Sequence, residues 1–210
     1  DFEMVSTITY FPFLVVVPAT SKFDSLAGLL AAAKANPEQI SYGTAGIGST
    51  HHLAGELLAS MSKTQLLHVP YRGDSGSLAA LLAGDIPMII APPTAVMANI
   101  KAGKLRVLAT TGLQRWEGLP GVPTVSEQGV LGYDVRSWAG LMAPAGTPRA
   151  IIDQLNAEAQ KAIMVPTVKS RLEEMGGEVK GSSPEEMKSL VASQTQKWTQ
   201  VVSQAKIPKQ

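Results

Sequence analysis

No cysteine occurs anywhere in the chain, which removes disulfide frameworks, thiolate zinc sites and cysteine nucleophiles from consideration. That absence leaves the compartment open, since many exported proteins also lack cysteine. Aromatic residues make up only 5 % of the 210 residues, so few rings are on hand to stack on exposed bases. Charge is scarce and balanced: charged side chains are 17 % of the chain, the formal net charge is +1, and no dense Lys/Arg run occurs. A nucleic acid would find little to bind. Long apolar runs are missing as well. The longest, residues 11–17, closes at Pro18, well short of the ~20 residues that cross a bilayer, and no basic segment precedes it. It reads as a strand buried on both faces, because it lacks polar alternation.

What is present is a chain 45 % hydrophobic, enough for one large domain or two small lobes. It starts at Asp1 without methionine, and we read it as a processed, cloned or partly observed product. A helix is expected over residues 25–35, carrying Leu26, Leu29, Leu30 and Ala33 and ending before Pro37. A strand follows at residues 66–69. Then a pattern occurs twice: helix 78–83, stop at Gly84, strand 86–90; helix 95–102, stop at Gly103, strand 105–110. Alternation of this kind predicts an α/β fold with a mostly parallel sheet. Residues 114–132 form a long connection with Pro120 and Pro123. A strand over residues 133–142 leads to a helix with Thr147 as N-cap and Pro148 at its first position. That helix places Ile151, Ile152, Leu155, Ala159 and Ile163 on one side. A shorter helix over residues 167–175 stops at Gly176, and the last starts in a capping box, Ser183 to Glu186, burying Met187, Val191, Trp198 and Val202.

The most informative stretch is residues 40–61, a short strand, a turn of glycines and hydroxyls, and an amphipathic helix. The first amides of a helix have no intrahelical partner, and Gly46 and Gly48 let a ligand approach the backbone. Ser49 or Thr50 caps the helix or offers a hydroxyl. Leu53, Leu57, Leu58 and Met61 form the stripe expected to lie on the sheet. The same residues also read as an ordinary capped βα turn, for the lysine of a phosphate loop and the full dinucleotide fingerprint are both missing.

Seven stretches in order, residues 29–37, 42–56, the run His68-Val69-Pro70-Tyr71-Arg72-Gly73, residues 100–108, the run Leu119-Pro120-Gly121-Val122-Pro123-Thr124-Val125, and residues 138–148 and 183–186, are similar to those of one family. The chain resembles the extracytoplasmic solute receptors of the tripartite tricarboxylate transporters, the Bug or TctC-like proteins. The resemblance implies a type II periplasmic-binding-protein fold, two α/β lobes joined by two crossing strands. By analogy, residues 1–13 are a crossing segment, 14–135 the complete second lobe, and 136–210 the return crossing with the helical part of lobe one. The family's first strands and helices of lobe one, with a glycine-rich ligand loop, have no counterpart in this sequence, which leaves the tail helices short of sheet.

The family's contacts in the second lobe fall on the turn already singled out, and the resemblance implies a carboxylate held by amides around Ala45, Gly46, Gly48, Ser49 and Thr50 and by the hydroxyls of Thr44, Ser49 and Thr50. Tyr71, Arg72 and Gly73 are the second ligand-binding element, at a strand end where open α/β sheets bind ligands. Ala91 stands where family members often carry a polar side chain, which points to a less polar ligand. Trp138 is either a cleft wall or a hinge-packing residue. His52 and Glu56 share one helical face, but without a third ligand nearby no metal is expected, and no cofactor; His68 reads as structural. Nothing resembles a serine-nucleophile elbow, and no enzyme is expected. The implied function is that of a periplasmic receptor, with any signal peptide removed, which captures a small carboxylate (a di- or tricarboxylate, amino acid or aromatic acid) and delivers it to membrane transporter subunits. It is expected to be monomeric and not itself to span the membrane. Two alternatives stand beside it: a receptor of the same fold feeding a signalling partner, and an anion-binding enzyme.

Overall fold

The computed structural model describes residues 1–207, which divide into two units, one of residues 1–11 and 137–200, the other of residues 12–136 with the chain from Val201 onward. The polypeptide therefore passes between them three times: at residues 11–12, at 136–137, and within the final helix.

The larger unit contains strands β2 (Leu14–Pro18), β3 (Ser41–Thr44), β4 (Leu67–Pro70), β5 (Ile89–Ala91) and β6 (Leu105–Thr110) in the order β4-β3-β5-β2-β6. Helices α1 (Leu26–Ala35), α2 (Thr50–Ser62), α3 (Asp74–Ala83) and α4 (Pro93–Lys101) connect them. Four strands run one way, and β2 alone runs against both its neighbours. The expected mostly parallel sheet is thus corrected to a mixed one. The reason is connectivity: β2 follows directly on a strand of the other unit, with no crossover helix before it to set it parallel.

Leu14, Val15, Val16 and Val17 are all fully buried, as a central strand with both faces covered requires. Leu14 and Val16 join Leu81, Ile89 and Val96 in one core cluster. Neighbouring residues of β3 point to opposite faces: Tyr42 lies against Gly55 of α2, and Gly43 against Ser77 of α3. The unit is therefore layered helix–sheet–helix.

One sequence expectation about α2 needs correction. Its buried face is not Leu53, Leu57 and Met61 but His52, Ala54, Gly55, Leu58, Ala59 and Ser62. The helix lies so close to Tyr42 that a Cβ at Gly55 would collide with the phenol ring, and no side chain at position 55 fits that seam. Gly55→Ala, ordinarily favourable in a helix, is accordingly expected to destabilise the protein by about 1–3 kcal/mol through overpacking. A melting temperature equal to or above that of the parent would refute the close seam.

The smaller unit is built on β1 (Phe2–Pro12), which lies between β7 (Arg136–Pro144) and the short β8 (Glu178–Val179). Helices α5 (Arg149–Ile163), α6 (Pro166–Glu174) and most of α7 (Pro184–Gln204) belong to it. The tail helices thus do have a sheet, because residues 2–12 supply its central strand. Ser6, Thr7 and Thr9 are buried on that strand, and the chain at 178–182 satisfies them: Ser6 Oγ donates to Ser182 O (3.0 Å), Thr7 Oγ1 to Lys180 O (2.9 Å) and Thr9 Oγ1 to Glu178 O (3.1 Å). Thr147 is not the N-cap of α5. Pro148 holds that position while the Thr147 hydroxyl closes the preceding turn onto Pro144 O. The capping box of α7 forms in full, with Ser183 N donating to Glu186 Oε2 and Glu186 N to Ser183 Oγ.

Candidate functional site

Strands β4, β3 and β5 are mutually parallel, so their carboxyl ends lie along one edge of the sheet. Each end leads to the start of a helix: Thr44 to α2, Pro70 to α3 and Ala91 to α4. That edge gathers every sequence-predicted site residue of the larger unit. The chain goes from β3 outward to β4 and returns across to β5, which makes the β3–β5 gap the crevice where open α/β sheets accept ligands. The first two connections are laced together, with Tyr71 N donating to Thr44 O (3.0 Å) and Gly73 N to Ala45 O (3.1 Å). Trp138 lies in β7 of the smaller unit, its ring beside Gly140.

The turn before α2 is rigidly specified. Gly46 and Gly48 have φ of 138° and 76°, conformations that an L side chain resists. Ser49 is the N-cap, accepting from His52 N and donating through Oγ to Gly46 O (2.7 Å). Thr44 Oγ1 accepts from Gly46 N and also meets His68 Nε2 at 2.6 Å. The Gly48 amide donates to His52 Nδ1 at 3.1 Å. The groups of Thr44, Gly46, Gly48 and Ser49 that had been expected to face a ligand therefore hold the turn in shape. Among the described residues of this turn, the amides of Ala45, Thr50 and His51 and the Thr50 hydroxyl are the donors left over, the last three at the first turn of α2, where the helix dipole is positive.

Around these amides the electrostatics are mixed. Arg72 is exposed. His51 Nε2 approaches Asp74 Oδ1 at 3.2 Å, without the alignment of a hydrogen bond, and its ring edges onto Phe13 at 4.8 Å. Burial holds the His51 pKa below the ordinary histidine range, against the opposing pull of Asp74. Ala91 is buried and belongs to the apolar core cluster, and Pro92 and Pro93 begin α4 without amide hydrogens to offer. The β5 end of the edge is consequently apolar where the β3 end is rich in donors.

Sequence reasoning did not give His52 and His68 a place in this turn. Their rings stack at 3.7 Å with 11° between planes, each attached to one end of the turn. Behind them Tyr42 donates to Glu56 Oε1 at 2.7 Å, and Glu56 Oε1 lies 3.7 Å from His52 Nε2. The spacing of His52 and Glu56 signalled that they share a face; the stack with His68 depends on β4 pairing with β3. Among the described residues no cluster of three or more His, Asp or Glu side chains is placed to hold a metal. No helix is long and apolar enough to cross a membrane, again among the described residues.

Comparison with known proteins adds the family. Residues 1–207 match the family described as the tripartite tricarboxylate transporter family receptor. A UPF0065 protein from the tcbD-tcbE intergenic region of Pseudomonas sp. (strain P51) is 41 % identical over 203 residues, covering 96 % of this chain and 60 % of that protein. Among solved structures, one of an R. palustris protein with adipate superposes with a TM-score of 0.84 at 34 % identity, over 99 % of this chain and 69 % of that one. MatC from Rhodopseudomonas palustris, solved with bound malate, gives 0.79 at 27 % identity, over 96 % and 70 %. The chain thus spans about 60 % of the length of its first curated relative.

Proposed function

This chain belongs to the tripartite tricarboxylate transporter family of receptors, and from that membership we propose that it binds a small carboxylate at the start of α2 and serves, within its whole polypeptide, to deliver that ligand in the periplasm to membrane transporter subunits. The observation that carries the reading is the edge where β3, β4 and β5 end together, with the amides of Thr50 and His51 unspent at a helix N-terminus. A carboxylate accepts hydrogen bonds from such amides without a formal counter-charge. Neutral donors suit a carrier that must let go: a bidentate guanidinium clamp would bind more tightly than delivery allows. The similar structures solved with adipate and with malate hold ligands of this chemical class.

The apolar end of the edge, at Ala91 and Pro92, extends the reading to the body of the ligand. A hydrocarbon chain loses nothing by lying there, whereas a hydroxyl would be left without a partner. Adipate is therefore expected to bind more tightly than malate, by roughly tenfold or more. Mass spectrometry of small molecules released from the purified protein, followed by calorimetry with the two acids, tests both statements. Release of a cationic or sugar ligand, or calorimetry in which neither acid binds, would overturn the carboxylate reading; preference for malate would overturn the apolar extension alone.

A further inference from the structure

We propose that His52 and His68 are positioning residues for the ligand turn, which keeps its shape only while His52 presents an unprotonated Nδ1 to the Gly48 amide. This inference rests on the carboxylate reading for its consequence, but its physical content lies in the turn itself.

The turn is attached at both ends to one pair of rings. At its start, Thr44 Oγ1 meets His68 Nε2 at 2.6 Å and accepts from Gly46 N. At its end, Gly48 N donates to His52 Nδ1 at 3.1 Å. An amide has one hydrogen and no lone pair to accept with, so the Nδ1 that receives it must be bare, and the neutral His52 ring carries its proton on Nε2. That Nε2 faces Glu56 Oε1 at 3.7 Å. Protonating Nδ1 sets two donors against each other at hydrogen-bond distance. The Gly48 peptide must then turn away, and with it the cap residue Ser49 and the amides of Thr50 and His51 that follow.

The groups around His52 are few. Glu56 lies on its own helix; His68 is stacked on it from β4; and from β3 Tyr42 places its hydroxyl 3.5 Å from His52 O while donating to Glu56. Tyr133 stands behind, its hydroxyl donating to Ala54 O. Burial lowers the pKa of His52 against the pull of Glu56, and burial together with the neighbouring His52 lowers that of His68 to about 4. The sign follows from linkage. Both rings bind protons less readily in the formed turn than in free chain, so the turn is fully held above the ordinary histidine pKa of about 6.5 and loosens as the pH falls toward 4. Glu56 beside His52 favours the first proton there, and that charge then repels a second on the His68 ring stacked at 3.7 Å. Acid would thus slacken the donor set just where the ligand is held.

The experiment separates this from the identity of the ligand. In the ligand-free protein, nitrogen–proton correlation spectra across the His52 titration should show a neutral ring protonated at Nε2, with the Gly48 amide shifting and losing exchange protection as the ring titrates. His52→Asn places an amide oxygen where Nδ1 stood and does not titrate, so it should keep the Gly48 bond at all pH values; His52→Leu should lose it at all of them. In adipate titrations from pH 7.5 to 5, the parent should lose affinity roughly tenfold more than His52→Asn, because protonation of adipate is common to both and cancels. A Gly48 amide indifferent to the His52 titration, or a His52→Asn protein with the parent's pH slope, would overturn the proposal. Absence of adipate and malate binding at every pH would sink the carboxylate reading, while the Gly48 amide would still decide this one.

Discussion

Replacing Gly48 by valine is expected to abolish carboxylate binding, with affinity for adipate falling by about a hundredfold or more, whereas Arg72→Ala should leave binding readily measurable. Gly48 sits at φ 76°, a conformation that a β-branched residue adopts only under strain, and its amide is the group that ties the turn to His52. Valine would displace the peptide and with it the amides of Thr50 and His51. Arg72 is exposed, and solvent screening is expected to keep the effect of its charge small. Calorimetry on the two variants decides the matter. If Arg72→Ala proves as damaging as the glycine change, a charge clamp replaces the amide model.

The second large effect concerns the smaller unit, which should open well before the larger one and bind a hydrophobic dye in the native state. Its cluster of Val5, Ala143 and Ile152 is small, and Leu141, Met142, Ile151, Leu155 and Val168 are each more than a third exposed. β7 is moreover an edge strand with four consecutive exposed residues, 139–142, a template for further pairing. The larger unit instead buries Leu14, Val16, Leu81, Ile89 and Val96 almost completely around a central strand. Hydrogen exchange followed by mass spectrometry should show residues 137–200 exchanging faster than residues 14–18 and 105–110 under mildly denaturing conditions. Leu141→Lys with Met142→Lys should lower dye binding severalfold. One cooperative exchange rate for the whole chain, with no dye bound, would contradict this picture.

Fold class, family resemblance and the position of the turn were legible in the sequence because they rest on local rules. Helix α1 follows from the apolar spacing of Leu26, Leu29, Leu30 and Ala33; α3 stops at Gly84, in the left-handed conformation that glycine permits; the capping box at Ser183 specifies the start of α7. The unbroken apolar run of β2 announced burial on both faces. Each of these signals is carried by neighbours in the chain, and no tertiary contact is needed to read it.

Three things were decided only in the tertiary structure. The direction of β2 depends on the strand it follows, and helix–strand alternation carries no record of that. The buried face of α2 depends on how closely the helix approaches Tyr42, and that distance exists only once Gly55 and the ring meet. The holding of the turn before α2 involves His68, which is distant from His52 in the chain and reaches it because β4 pairs in parallel with β3, bringing His68 beside Tyr42. Periodicity specifies which residues face one another within an element, and capping specifies where an element ends. Which elements become neighbours, and at what distance, is settled by packing over the whole core, and in this protein that packing determined which amides the turn keeps for itself and which it leaves without an acceptor.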